Sequence, residues 1–148
     1  MKTTWMALSL MTLLIACASP QKKTTAEFQL KPVEERTLAN GLRIIYIKDT
    51  ALPRLGLTMF FPAGSAQDPV GQEGLAAMTV SLLDQGSKKK TALQTTDAFA
   101  QLGSSFSEGV SQDYIMLSTS GLSKFQGELL DLFAEVTLAP AFSPAEIE

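Results

Sequence analysis

Short apolar or alternating segments mark five predicted strands. They cover residues 35–38, 42–48, 55–61, 104–110 and 113–120. The turn between the first two contains Asn40 and Gly41, and an Asn-Gly pair between β-prone segments is the strongest short hairpin signal. Segment 55–61 is apolar nearly throughout, so we expect it to be buried on both faces. The last two strands are expected to form a second hairpin, with Ser111 and Gln112 in the turn.

Apolar residues at three- and four-residue spacing predict three helices. The first begins near Gly74 and ends at Gly86, because glycine suits the end of a helix. Its predicted apolar face consists of Leu75, Met78, Leu82 and Leu83. The second helix begins with a capping box at Thr91 and stops at Gly103. The third carries a stripe that we expect in the core, formed by Phe125, Leu129, Leu132, Phe133 and Val136.

These elements predict an α+β domain over residues 34–148, with helices packed on one face of an antiparallel-rich mixed sheet. This length is sufficient for one hydrophobic core. The segment 143–146 then has a serine, a proline and a glutamate in the order that opens a helix. Because the sequence stops two residues later, we expect an incomplete domain from a truncated or longer protein.

The N-terminus has the pattern of a secretory signal peptide, with Lys2 followed by an apolar run over residues 5–15. Residues 14–17 also resemble the lipobox of bacterial lipoproteins, in which the cysteine becomes the lipidated first residue of the mature protein. This resemblance predicts a signal peptide at 1–16 and, at 17–33, a lipidated Cys17 with a polar tether. The alternative is an ordinary signal peptide in which Cys17 occurs by chance.

Lipidation would make the chain an exported protein that is anchored to a membrane through Cys17. Ala18 and Ser19 follow the cysteine where an acidic residue could stand. This order resembles that of Gram-negative lipoproteins that are sorted to the outer membrane. We therefore expect an outer-membrane lipoprotein that faces the periplasm.

Charge and composition exclude several classes of function. The chain has 12 basic and 15 acidic residues, a net charge of −3, and its basic clusters are short, so nucleic acid is not an expected partner. It contains no histidine and one cysteine. Zinc sites depend on these two residue types, and catalytic triads and dyads depend on histidine. The composition therefore provides few groups for metal binding or nucleophilic catalysis.

Several motifs in the chain occur in the order typical of one peptidase family. They are the segment 38–42 with sequence LANGL, Pro53, the segment 63–65 with sequence AGS, Gly74-Leu75-Ala76 and Gly86-Ser87. The chain thereby resembles the pitrilysin/insulinase family of zinc metallopeptidases, which includes the processing peptidases. The resemblance covers residues 34–148 and corresponds to the first part of the family's N-terminal domain. It implies structural roles for Asn40, Gly41, Gly74 and Gly86.

In this family the helix carries the zinc motif H-x-x-E-H, in which two histidines bind zinc and the glutamate activates water. Aligned without a gap, the three positions of the motif are Ala77, Val80 and Ser81 in this chain. None of the three can bind zinc or accept a proton from water. The resemblance therefore implies no catalytic residue, no metal and no cofactor here, with zinc expected only in an active partner.

The resemblance implies a non-catalytic lipoprotein that acts beside a His-bearing peptidase homologue and helps to enclose an extended peptide. The alternative is a structural or interaction module of an outer-membrane lipoprotein without any peptidase partner. An active metallopeptidase with other ligands would be a third class, but the chain has few residues from which to build its metal site.

Overall fold

The computed structural model describes residues 31–147 and confirms the α+β class. In chain order its elements are β1 (Val33–Thr37), β2 (Arg43–Ile47), β3 (Arg54–Phe61), α1 (Leu75–Ser81), α2 (Ala92–Gln101), β4 (Phe106–Val110), β5 (Ile115–Leu122), α3 (Gln126–Leu138) and α4 (Pro144–Ile147). All strand pairs within these residues are antiparallel. In the same part of the chain, no helix is both long enough and apolar enough to cross a membrane. The chain divides between Lys48 and Asp49 into two compact units.

The first unit contains the hairpin β1–β2, as the Asn-Gly turn predicts. The amide of Leu38 donates to Leu42 O at 2.9 Å, and Asn40 Oδ1 accepts from the amide of Leu42 at 3.1 Å. The amide of Gly41 also donates to Leu38 O at 2.9 Å, which closes a turn. Gly41 has a φ of 86°, a left-handed conformation that glycine adopts without strain. The loop thus has the three-residue form of a hairpin connection.

Both strands of this hairpin are exposed at every residue, including the apolar run from Ile44 to Ile47. One ion pair joins them, because the guanidinium of Arg43 lies 2.5 Å from a carboxylate oxygen of Glu35. Exposed pairs of this kind contribute little to stability. An isolated two-stranded hairpin is at best marginally stable in water. Within residues 31–48, the hairpin is therefore held mainly by its turn and by strand pairing.

The second unit is built on a three-stranded sheet in the order β3-β5-β4. One face of the sheet and the helices form a hydrophobic core of eight buried residues: Val80, Leu83, Phe99, Leu117, Leu129, Leu132, Phe133 and Val136. The predicted alternation in β5 is confirmed, because Leu117 and Thr119 are buried on the helix side. Within residues 31–147 the helices do not cover the opposite sheet face, which is called the outer face below.

The prediction that β3 is buried on both faces is wrong. Alternate residues of β3 are half-buried, whereas the residues between them are exposed. Phe60, for example, is 61% exposed. The reason is that helices cover one sheet face alone, so the apolar run contributes every second side chain to the core.

The two longer helices follow the sequence pattern closely. Helix α2 begins with a complete capping box, in which Thr91 and Gln94 each accept from the other's amide. It ends just before Gly103, whose φ is 64°. Helix α3 buries four of the five predicted residues: Leu129, Leu132, Phe133 and Val136. The fifth, Phe125, precedes the helix and is half-buried. The helix that residues 143–146 are predicted to begin also forms, as α4.

Candidate functional site

The loop before α1 is fixed against the β4–β5 turn by close backbone packing at Gly64. The amides of Ser65 and Ala66 donate to Ser111 O at 2.9 Å and Gln112 O at 3.0 Å. A Cβ atom at the buried Gly64 would lie only 2.4 Å from each of these two carbonyl oxygens. A side chain larger than hydrogen is therefore excluded, and the loop that leads to α1 is held in one position.

The N-terminus of α1 is capped by a residue six positions upstream of it. Gly74 precedes the helix with a φ of 96° and has no side chain with which to cap. The carboxylate of Asp68 accepts instead from the amides of Gly74 at 2.7 Å and Ala76 at 2.9 Å. Negative charge at this position also interacts favourably with the helix dipole.

Glu73 stabilises the turn that precedes the helix. Its carboxylate accepts from the amide of Gly71 at 3.0 Å, and this hydrogen bond lowers the pKa of Glu73. No sequence pattern predicted a capping role for Asp68. An acidic residue within a Gly/Pro-rich loop before an apolar segment was the available signal for Asp68.

The structure places the three positions that are predicted to correspond to the zinc motif in two different environments. Ala77 and Ser81 lie one helical turn apart on the exposed side of α1, and the Ser81 hydroxyl donates to Met78 O at 2.9 Å. Val80 is only 3% exposed and belongs to the hydrophobic core. The position aligned with the catalytic base is thus a core position in this chain, and a carboxylate there would be placed among apolar side chains.

The predicted apolar face of α1 is wrong in part. Leu75 is 45% exposed and Met78 is 46% exposed, whereas Leu83 is buried. The buried side follows Ala76, Val80 and Leu83, which are also at helical spacing. The helix is therefore rotated about its axis relative to the prediction.

The predicted end of the first helix at Gly86 is also wrong. Helix α1 ends at Ser81, because the next turn tightens and the amide of Leu83 donates to Val80 O. Gly86 instead forms a bridge with Thr91, and its carbonyl accepts from the amide of Ala141 at 3.0 Å. It is buried with a φ of 115°, and a Cβ atom would lie 3.1 Å from a backbone oxygen. Glycine is therefore required there by close packing.

A buried polar network holds the turn after Gly86 against α3. The Ser87 hydroxyl and the ammonium of Lys90 both donate to the carboxylate of Glu135, the latter at 2.7 Å. The amides of Lys89 and Lys90 donate to the Ser87 hydroxyl oxygen, each at 3.0 Å. The hydrogen bonds from Lys90 and then Ser87 lower the pKa of Glu135. This network joins two elements of the second unit.

Carboxylates near α1 do not form a metal site. Burial raises the pKa of Glu108 on β4, and the negative charge of Asp84 raises it further. Within residues 31–147, no three or more His, Cys, Asp and Glu side chains come close enough to hold a metal ion. Cys17, the predicted lipidation site, lies outside the described residues.

The sequence profile of the insulinase family, peptidase family M16, matches residues 43–148. The chain belongs to the M16 family. A similar M16 structure, the inactive domain of a peptidase from Pseudomonas fluorescens, superposes with a TM-score of 0.74 at 30% identity over 78% of this chain. A protease from Helicobacter pylori has the same fold, with a TM-score of 0.73 at 21% identity over 80% of the chain.

An uncharacterised zinc protease from Rickettsia bellii is 24% identical to this chain over 110 residues. The matched segment is 74% of this chain. This chain spans 27% of that relative's length, and 28% and 29% of the two solved structures. The predicted family and the predicted α+β fold are therefore confirmed.

Proposed function

We propose that this chain is a non-catalytic M16 module that acts beside a His-bearing M16 peptidase and helps it to enclose an extended peptide. The placement of Val80 in the hydrophobic core is the observation that carries this proposal. The general base of the zinc motif needs a carboxylate that reaches a metal-bound water. At this position the chain has an apolar side chain that stabilises the fold.

The loop and cap around α1 are complete although the motif positions lack ligands. Gly64 packs against two carbonyl groups, and Asp68 satisfies two amides at the start of the helix. Both features hold the helix in place without taking part in metal chemistry. A role in which the shape of the module matters accounts for them, and the inactive M16 domain of Pseudomonas fluorescens is a similar structure.

The outer face of the three-stranded sheet offers a surface for an extended peptide. Phe60 on β3 and Tyr114 before β5 are both exposed and form an edge-to-face pair with ring centroids 5.6 Å apart. Strands β3 and β4 are the edges of this sheet within the described residues. Sheet edges bind extended peptides through main-chain hydrogen bonds, and exposed aromatic residues add apolar contact.

Affinity purification of the full chain from solubilised envelope tests the proposal. A His-bearing M16 homologue should co-purify, and adding the chain should increase that homologue's cleavage of an extended peptide. Phe60→Ser and Tyr114→Ser should reduce the increase. Leu93→Ser, which removes an exposed apolar residue from α2, is the matched control and should leave the increase in cleavage unchanged. If no homologue is recovered, or cleavage is the same with and without the chain, the lipoprotein module without a peptidase partner becomes the favoured function.

We also propose that Cys17 carries lipid and anchors the chain in the outer membrane. Two or more acyl chains give stable anchoring, whereas one gives marginal binding. Cys17→Ala should therefore release the protein from membranes or leave its signal peptide uncleaved. Fractionation and mass spectrometry of the mature protein measure this, and an unchanged mass and distribution would contradict lipidation.

A further inference from the structure

A second feature of the sheet lies at the end away from Gly64 and α1. A cavity of about 360 Å³ opens where β3 begins, β5 ends and the chain enters β4. It is lined by Arg54 and by the segments 103–105 and 120–122. Arg54 is the first residue of β3, whereas the loop to α1 follows the last. The cavity is therefore separate from the motif positions of α1.

Arg54 brings an unneutralised positive charge to this cavity. Its Nη2 atom donates to the Ser120 hydroxyl at 2.9 Å. Within residues 31–147, no carboxylate lies within ion-pair distance of this guanidinium. A guanidinium has five N–H donors in a planar fork, which matches the two oxygens of a carboxylate.

The opposite wall of the cavity is held in place by a buried hydroxyl. Thr119 donates from its hydroxyl to Ser105 O at 2.8 Å, and its hydroxyl oxygen lies 2.7 Å from Ser104 Oγ. Because the Thr119 hydroxyl has one proton, Ser104 is the donor of the second bond. The turn 103–105 is thereby fixed from the core side.

The surroundings match the end of an extended chain. Ser120 lies on the outer face, since its neighbours Thr119 and Gly121 are buried, and its register partner Gly56 leaves open space beside it. Leu122 is 42% exposed and lines the cavity with an apolar surface. A chain along the outer face could place its last side chain near Leu122 and its terminal carboxylate near Arg54.

We propose that this cavity binds the C-terminal carboxylate of a peptide. A single guanidinium without a second lining cation suits one negative charge rather than two. The Ser120 hydroxyl accepts from Arg54 and keeps its own proton, which it can donate to a carboxylate oxygen. The proposal deepens the proposed function, because it specifies one end of the enclosed peptide, but the binding step needs no partner subunit.

Titration of the full chain, labelled with ¹⁵N, with acetyl-trialanine tests the proposal, and the C-terminal amide of the same peptide is the comparison. The acid should shift the amide resonances of Gly103 and Gly121, and its Kd should be at least about tenfold lower than that of the amide. Equal binding of the two peptides, or shifts confined to other regions, would overturn the proposal. Tighter binding of inorganic phosphate than of the acid would assign the cavity to a different oxyanion and would likewise overturn it.

Two variants at the cavity and one control make the test specific. Arg54→Gln should remove the difference in Kd between the acid and the amide peptide. Ser120→Ala should reduce this difference several-fold. Arg43→Gln, which changes an exposed arginine paired with Glu35, should leave it unchanged. Retained discrimination in Arg54→Gln would contradict the proposal. Because no peptidase is present, failure here is independent of failure to stimulate a partner.

Discussion

Helices α1 and α3 both carry apolar residues at helical spacing, but they bury them to different extents. Helix α3 buries Leu129, Leu132, Phe133 and Val136, which are four of the five residues expected from its sequence. Helix α1 buries Val80 and leaves Leu75 and Met78 almost half exposed. The two helices therefore have different relations to the core: α3 contributes a full face, and α1 contributes one residue.

This difference shows what maintains each helix. Burial of a full apolar face stabilises α3, and Glu135 also joins it to the turn after Gly86. Helix α1 has seven residues and depends instead on the Asp68 cap and on the packed loop at Gly64. Short helices are unstable without such support. The helix aligned with the zinc motif is thus positioned by its N-terminal loop more than by core packing.

The largest expected effect comes from placing a carboxylate at the single core position of α1. Val80→Glu should reduce the free energy of unfolding by about 3–5 kcal/mol, because an unpaired charge would be buried among apolar side chains. Ala77→Glu, the same substitution on the exposed side, should change it by less than about 0.5 kcal/mol. Urea denaturation of the two variants measures the difference. Equal stability would mean that Val80 is accessible in solution and that the base position could be restored.

The second prediction compares the same substitution in the two helices. Leu129→Ala should reduce the free energy of unfolding by about 2–5 kcal/mol, because Leu129 is 0% exposed and its removal leaves a cavity. Leu75→Ala in α1 should cost less than about 1 kcal/mol, since nearly half of this side chain is already in water. Thermal and urea denaturation measure both. A cost at Leu75 as large as that at Leu129 would show that another surface covers α1.

The third prediction concerns the polar network that joins α3 to the turn 87–90. Glu135→Gln should reduce the free energy of unfolding by about 1–3 kcal/mol at pH 7, as for hydrogen bonds to a charged group. The folded-state pKa of Glu135 is lowered, so its contribution is present above the unfolded pKa and is lost as pH falls through the folded pKa. The difference between wild type and variant should therefore shrink below about pH 4.

Glu108→Gln is the control of opposite sign for this pH profile. Burial raises the pKa of Glu108, so its ionisation opposes folding at neutral pH. The variant should be at least as stable as wild type at pH 7, and the gain should disappear at low pH. Urea midpoints between pH 3 and 7 measure both profiles. A constant difference for Glu135→Gln across that range would rule out the charged network as its cause.

The smallest expected effect distinguishes the caps of α1 and α2. Asp68→Ala and Thr91→Ala should each reduce the free energy of unfolding by about 1 kcal/mol, the usual cost of losing a cap. Asp68→Asn keeps a hydrogen-bond acceptor, so it should reduce the free energy of unfolding by less than Asp68→Ala does. Hydrogen exchange of amides in α1 should increase in Asp68→Ala and remain unchanged in Thr91→Ala. Unchanged exchange in both would mean that the cap does not limit the opening of α1.

Sequence patterns were sufficient wherever an element packs one regular face on the core. The alternation in β5, the stripe of α3 and the capping box of α2 each depend on local spacing. Sequence patterns were insufficient where the local structure depends on contacts with residues outside the element itself. Asp68 caps α1 by accepting from the amide of Gly74, six residues away, and Gly86 is favoured by its φ and by backbone atoms of residues 90–92.

Two errors arose because one pattern was compatible with two structures. The continuous apolar run of β3 does not show which alternate residues will be covered. In α1 two helical stripes compete, and the side that includes Val80 is the one that packs against the core. The carboxylate cavity could not be predicted either, because Arg54 and Ser120 meet through strand pairing alone.

The pairing of β3 with β5 also determines when the sheet can form. Arg54 pairs with Leu122 and Phe61 pairs with Ile115, so the intervening residues 62–114 must be closed into a loop before this part of the sheet exists. Pairings between distant segments slow folding, because the entropy of loop closure is lost before the contact is gained. During synthesis β3 therefore remains without its sheet partner until β5 has left the ribosome. We therefore expect the second unit to fold late, after β5 has become available for pairing.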